Sequence, residues 1–286
     1  MSEVGSIPIV DTHQHLWDLD RFRLPWLAGA PRLNRSYLIK DYDEAVRGLN
    51  VVKSIYMEVD VEPAQYADEA AYVSGVCAER KSTMVAAVIS GRPASAEFEG
   101  YIRPLARNRN IKGLRQVLHG STPAGYCVRT EFVRGIRLLG ELGLSFDLCM
   151  RGGELMDGAR LVDACPGTRF ILDHCGNPDV RNPAPGWKEG IQALSQRPNV
   201  ICKISGIVAS ADPEKWTPAD LRPFVLHCLD SFGPDRVVFG GDWPVCTLAA
   251  SYRRWVEALF SIIADRPAVE QRKLLHDNAV KFYGLS

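Results

Sequence analysis

The sequence predicts an α/β fold: one closed (β/α)8 TIM barrel spanning residues 1–286 as a single domain. Three observations predict it. The chain has 286 residues, and such barrels typically need ~250. Eight short β-rich runs alternate with helix-like segments along it. Several of these runs are apolar almost throughout, as strands covered on both faces are. An open doubly wound sheet is the competing arrangement. It needs a topological switch point, and no Gly-rich phosphate loop marks one.

The strands are expected at 7–15, 51–60, 83–90, 111–119, 144–150, 168–176, 199–206 and 236–244. Four helices between them carry start and stop signals. The segment 41–49 opens on Asp41 as N-cap. The segment 63–81 has Pro63 in its first turn and a basic end at Arg80 and Lys81. Thr130 caps 130–143, which closes on Gly143, and Thr217 followed by Pro218 opens 217–233, which closes on Gly233. Weaker amphipathic stretches fill 95–107, 154–165, 188–197 and 251–264, and an extra C-terminal helix is expected over 267–284. Residues 16–40 break the rhythm. They form a long, aromatic, Arg-rich loop after strand one, expected over the C-terminal mouth, where long loops shape binding sites.

Composition narrows the function. Lys+Arg and Asp+Glu both number 34, so the formal net charge is zero. No basic surplus points to nucleic acid, and no charge block points to a membrane surface. A neutral chain lacks strong self-repulsion, so a homo-oligomer is permitted. The N-terminal stretch has no basic region followed by a long apolar run, and no stretch approaches the ~18 apolar residues of a membrane span. Eight cysteines occur without a C-x-x-C pair, which reads as buried free thiols in a reducing, cytoplasmic setting. The expected partner is a small-molecule substrate.

Chemistry in such barrels gathers where strands end. Strand one ends in Asp-Thr-His-Gln-His. Residues i and i+2 of an extended segment share a face, so His13 and His15 project together, a natural metal-binding pair. Strand six ends in His174, and strand eight runs through Gly240 and Gly241 into Asp242. Closure sets strand eight beside strand one, bringing Asp242 to the imidazole pair, where a carboxylate can ligate a metal or take a proton from water. Glu58 and Asp60 end strand two, Arg115 and Gln116 lie in strand four, Asp147 in strand five, Lys203 and Ser205 in strand seven. Arg115 and Lys203 are expected either to meet a polar substrate or oxyanion, or to form structural ion pairs with Glu58 or Asp147. Trp17, Trp26, Tyr56 and Trp243 are expected to line the mouth with aromatic surface. His119 sits at a strand end or in the loop beyond it, while His227 and His276 fall in late helices and read as structural.

The stretches DTHQHLW, FILDHCGNP and VVFGGDWP together resemble the amidohydrolase superfamily, and more narrowly its branch of sugar lactonases and pyrone-dicarboxylate lactonase. The resemblance runs from residue 9 to about 283. It implies roles for His13, His15, His174 and Asp242, with Asp242 as the base that activates water; from the placement of the residues themselves, Arg115 is expected to join the catalytic set, His13, His15 and Asp242 to be the metal ligands, and Trp17, Tyr56, Glu58, Lys203 and Trp243 to contact substrate. It implies zinc as the cofactor, one ion at most. Metal-dependent members commonly add a His or modified Lys near strand four or five; the fifth strand here offers Asp147 and no His, and some lactonases of the branch work without a metal. The expected reaction opens an aldonolactone, such as a fucono- or rhamnono-lactone, by attack of Asp242-activated water on the ring carbonyl. A metal-dependent decarboxylase and a non-catalytic sugar- or acid-binding barrel are the alternatives.

Overall fold

The computed structural model describes residues 6–79 and 82–285. Eight strands form one parallel sheet in sequence order: β1 (Ile9–Gln14), β2 (Val51–Met57), β3 (Met84–Ser90), β4 (Ile111–Arg115), β5 (Ser145–Leu148), β6 (Arg169–Leu172), β7 (Val200–Ile204) and β8 (Val237–Phe239). Helices α1 (Ile39–Ala45), α2 (Tyr66–Ala78), α3 (Phe98–Leu105), α4 (Thr130–Glu141), α5 (Leu155–Ala164), α6 (Trp187–Ser195), α7 (Pro218–Phe232) and α8 (Tyr252–Ile262) follow the strands in turn. Helices α9 (Ala268–Arg272) and α10 (Asn278–Tyr283), joined by a π-helical turn, make up the extra C-terminal segment.

Alternation along the strands builds two cores. Ile9, Tyr56, Ala87, Phe170, Cys202 and Phe239 belong to the large cluster shared with the helices. Their neighbours Val10, Ile55, Ala86, Ile171, Ile201 and Val238 form a smaller cluster inside the barrel, which Ala279 and Tyr283 of α10 join. The C-terminal segment thus packs against the barrel interior.

Closure is made by the motif residues rather than by the strands proper. Past the end of β8, the Asp242 amide donates to the His13 carbonyl at 2.7 Å, and the His15 amide donates to the Trp243 carbonyl at 2.8 Å. Asp11 clamps this seam. Its Oδ1 accepts the amides of Gly241 (2.7 Å) and His13 (3.0 Å), and its Oδ2 accepts the hydroxyls of Tyr42 (2.9 Å) and Tyr252 (3.0 Å). Burial pushes the Asp11 carboxyl up against these donors, which pull it down. Gly241 leaves no room for a side chain, since a Cβ there would stand 2.2 Å from the Tyr252 ring and 2.7 Å from Asp11 Oδ2.

The strands are shorter than the sequence suggests, because each stops where the chain turns toward the mouth. β4 ends at Arg115 and leaves Gln116 to His119 in the following loop, and β8 ends before its glycines. Two caps also differ. Helix α1 begins at Ile39, and Asp41 sits in its first turn, accepting the Leu38 amide at 2.8 Å. Thr130 is the first residue of α4, with no side-chain cap. Thr217 does cap α7, and Asp220 reaches back to its amide at 2.7 Å. The basic end at Arg80 and Lys81 lies outside the described residues. Residues 16–40 fold back through an antiparallel bridge between Trp17 and Tyr37. None of the described helices is long and apolar enough to cross a membrane.

Overpacking a tight contact typically costs ~1–3 kcal/mol. Gly241→Ala is therefore expected to lower unfolding free energy in urea by about that amount and to blunt activity, because it pries Asp11 from the seam that carries Asp242. Unchanged stability would remove the clamp from this account.

Candidate active site

The mouth of the barrel holds a pocket of roughly 500 Å³. His15, Arg115, His119, His174 and Asp242 line it, with Trp17, Trp26, Asp60 and Asn177. The structure brings His13, His15, His174 and Asp242 together. The His13 ring lies 4.8 Å from that of His15 and 4.4 Å from that of His174. Asp242 Oδ1 is 3.3 Å from His15 Nε2 and 3.6 Å from His13 Nε2.

Two of these side chains reach the mouth by unusual backbone. His174 (φ 54°) and Asp242 (φ 54°) are left-handed non-glycine residues. Simple alternation from the inward-facing Ile171 would aim Asp173 into the barrel and His174 away from it. The left-handed turn at His174 and Cys175 brings His174 back. Gly206 makes room, since a Cβ there would lie 2.2 Å from His174 Nδ1.

Beneath the pocket runs a buried chain of charge that sequence reading only partly anticipated. Glu58 pairs with Arg115 at 2.6 Å, Arg115 with Asp173 at 3.3 Å, Asp173 with Lys203 at 2.8 Å, and Lys203 with Asp147 at 2.7 Å. Burial alone would push all three carboxyls up. Arg115 nevertheless holds Glu58 below its usual range, and Lys203 with His13 holds Asp173 well below it. Asp147, at the end of the chain, stays pushed up to about 7 by burial despite Lys203. Burial, then Lys203, drives His13 well down, and burial lowers His174, which disfavours the charged form of both imidazoles.

Several expected substrate contacts lie elsewhere. Glu58 and Lys203 are fully buried and committed to ion pairs: alternation from Ile201 aims Lys203 into the barrel, while Glu58, one residue past β2, departs from the alternation that puts Ile55 and Met57 inside and meets Arg115. Tyr56 faces α2, where its hydroxyl donates to Glu69 at 2.9 Å. Trp243 packs edge-on against Tyr37 and Tyr42. Trp17 and Trp26 do line the pocket, 5.6 Å apart and edge to face. His119 also lines it. His227 packs on Trp187, and His276 pairs with Asp277 at 2.7 Å. Asp11, Asp173 and Asn177 were missed as individuals. Alternation from Ile171 was the signal available for Asp173.

Whether these residues fit a metal follows from their lone pairs. His15 Nδ1 lies 2.9 Å from the Met57 carbonyl, which can only accept, so Nδ1 carries the hydrogen. His15 Nε2 then turns a lone pair toward Asp242 Oδ1, and His13 Nε2 faces the same oxygen. Acceptors that converge in this way need a positive centre between them, a proton or a metal ion. Ring nitrogens of His13 and His174 and a carboxylate oxygen of Asp242 lie within 4.8 Å of one another. Imidazole nitrogen with one carboxylate is a zinc donor set. Arg115 Nη1 approaches His13 Nε2 at 3.2 Å, so a metal bound at that nitrogen would have to displace this contact. A second grouping, Cys149 with Asp173 and His174, is poorer: burial pushes the Cys149 thiol up to about 12, and Asp173 is already ion-paired. One ion fits.

Fold and site together define a barrel hydrolase with an imidazole–carboxylate centre at its C-terminal mouth. The chain belongs to the amidohydrolase family, whose model matches residues 10–285. It is 29% identical to an uncharacterised protein of Sinorhizobium fredii over 98% of this chain and 99% of that one. It is 27% identical to an L-fucono-1,5-lactonase of Burkholderia multivorans, over 96% of each. A crystal structure of a zinc-bound amidohydrolase from Burkholderia multivorans superposes with a TM-score of 0.86 at 26% identity, covering 98% of this chain and all of that one.

Two outcomes are expected. Elemental analysis after zinc loading should find one zinc per chain, lost in His15→Ala. Lys203→Met should destabilise the fold by ~3–5 kcal/mol in urea, the cost of stranding a buried ion-pair partner. A substrate-contacting lysine would instead leave stability alone and raise KM.

Proposed function

We propose that this protein hydrolyses a neutral sugar lactone, with Asp242 as the base. The observation that carries the reading is the convergence of His13, His15 and Asp242 beside a pocket whose one buried cation is already spoken for. Arg115 Nε and Nη2 donate to Glu58, at 2.6 Å to its carboxylate and 2.9 Å to its carbonyl, while Nη1 is directed at His13 and Asp173. Little of its charge is left for a substrate carboxylate. Asp242 adds negative charge to the lining. Such a pocket suits an uncharged ring and disfavours a dicarboxylate such as a pyrone diacid. The similarity to an L-fucono-1,5-lactonase supports the same class.

In the proposed reaction, Asp242 takes a proton from water as the water attacks the lactone carbonyl. The developing oxyanion meets the remaining Nη2 hydrogen of Arg115 and Nε2 of His174. His174 Nδ1 is held by the Ser205 hydroxyl at 2.9 Å. A hydroxyl can donate or accept, so the tautomer of His174 follows what its Nε2 meets. Asp242 then returns its proton to the leaving ring oxygen. His13, His15 and Asp242 are the residues that would hold a zinc, and such an ion would supply Lewis-acid chemistry, polarising a carbonyl and acidifying water. Trp17 and Trp26 offer an apolar wall to the ring face.

Proton release from a panel of sugar 1,4- and 1,5-lactones, with and without chelator, tests this. Asp242→Asn should lower kcat by ~10²–10⁴, the usual contribution of a general base. Neutral lactones should exceed dicarboxylate lactones by ~100-fold in kcat/KM, since an unpaired buried charge costs about 3 kcal/mol. No turnover on any lactone would end the reading and move attention to CO2 release from aromatic or unsaturated acids.

A further inference from the structure

We infer that Asp60 and Asn177 recognise hydroxyl groups of the substrate from opposite walls of the pocket; this rests on the sugar-lactone reading and names the residues that make the site one for sugars. Among the described residues, six non-glycine residues adopt left-handed backbone: Asn50, Asp60, His174, Cys175, Asn177 and Asp242. Four of the six line the pocket. Left-handed backbone is unfavourable for residues with a Cβ and persists where the surroundings enforce it, often at sites of function. His174 and Asp242 supply the chemistry. Asp60 and Asn177 are held in the same strained way and have no part in it.

Their surroundings say what they can do. Asp60 follows β2 and Asn177 follows β6. In an eight-stranded barrel of sequential order, strands four apart stand across the mouth from one another. The Asp60 amide is fixed to Glu58 Oε2 at 2.7 Å. Its Oδ1 accepts from Arg92 Nη2 at 2.9 Å, and Arg92 in turn lies over the Tyr66 ring. This leaves Oδ2 as an oriented acceptor whose charge Arg92 offsets. Such a group suits a sugar hydroxyl better than a substrate ammonium, which would need the carboxylate unneutralised. Asn177 is fixed as firmly. Its amide nitrogen donates to the Met150 carbonyl at 2.9 Å, and its backbone amide donates to the His174 carbonyl at 2.8 Å. Its second side-chain N–H is directed at Cys149 Sγ at 3.8 Å, so the orientation of the amide is set and Oδ1 remains for the pocket. A hydroxyl can donate its hydrogen, so two fixed acceptors on facing walls can read two hydroxyls of a ring whose carbonyl sits at Asp242. The two tryptophans, by contrast, sense only ring shape.

The test compares Asp60→Asn, Asp60→Gly and Asn177→Gly with the wild type. Asn and Gly tolerate left-handed backbone, so the fold is spared the strain that Ala would add, and Tm measurements confirm folding. Each protein is assayed on a sugar lactone active in the panel above and on the same ring without hydroxyls, δ-valerolactone or γ-butyrolactone. The readout is the ratio of the two kcat/KM values. Each glycine variant should lower this ratio about 10- to 100-fold, the worth of a hydrogen bond to an oriented polar or charged group, and Asp60→Asn by less. A fall that is equal on both substrates, leaving the ratio unmoved, marks a merely structural role and overturns the inference. A wild type that opens both kinds of ring equally well overturns hydroxyl recognition while the lactonase reading stands. A wild type that opens neither overturns the lactonase reading and this inference with it.

Discussion

The structure depends on the seam between the first and last strands, and on the carboxylate that clamps it. Asp11 receives two backbone amides and two tyrosine hydroxyls, from β1, from Gly241 after β8, and from helices α1 and α8. A buried carboxylate is costly unless its lone pairs are met, and here four donors meet them. The clamp fixes the backbone of His13 and Gly241, and these flank the hydrogen bond from the Asp242 amide to the His13 carbonyl. Barrel closure and assembly of the imidazole–carboxylate centre are thus one event. A chain that failed to close would separate Asp242 from both histidines.

Below this centre, the interior divides into an apolar half and a charged half. Val10, Ile55, Ala86 and Ile171 fill the lower part against α10. Higher up, Glu58, Arg115, Asp173, Lys203 and Asp147 replace them with a relay of alternating sign. Buried pairs of this kind seldom add net stability over apolar packing. Their effect here is positional. Arg115 and Lys203 flank His13 at 3.2 and 3.3 Å on its two ring nitrogens, so the imidazole is fixed in place and its protonation is disfavoured. The same commitments leave Arg115 little charge to offer a substrate carboxylate, and Lys203 stands apart from the pocket, whose lining includes Trp17 and Trp26.

Much of this was legible in the sequence for physical reasons. Apolar runs alternating with amphipathic helices can close only a few ways, and eight of them make a barrel. His13, His15, His174 and Asp242 were legible because strand ends in a barrel converge, whatever the loops do. The ion pairs Arg115–Glu58 and Lys203–Asp147 were legible as one of two readings, since a cation inside a strand needs a partner. Choosing between partner and substrate required knowing depth, and depth is a property of the assembled barrel.

The sequence by itself determined the order of strands and helices, the barrel they close, and which chemistry-bearing side chains stand near its mouth. Tertiary structure alone decided where those side chains point. A register shift between Asp11 and Gln14 breaks strict alternation in β1 and lets His13 and His15 meet Asp242. Left-handed residues after β2, β6 and β8 re-aim Asp60, His174, Asn177 and Asp242. Each is a one-residue departure from a periodic rule, and a departure of one residue reverses the face that a side chain presents. Periodicity encodes the scaffold many times over, whereas each of these departures is enforced by contacts from distant strands, such as the space that Gly206 leaves for His174.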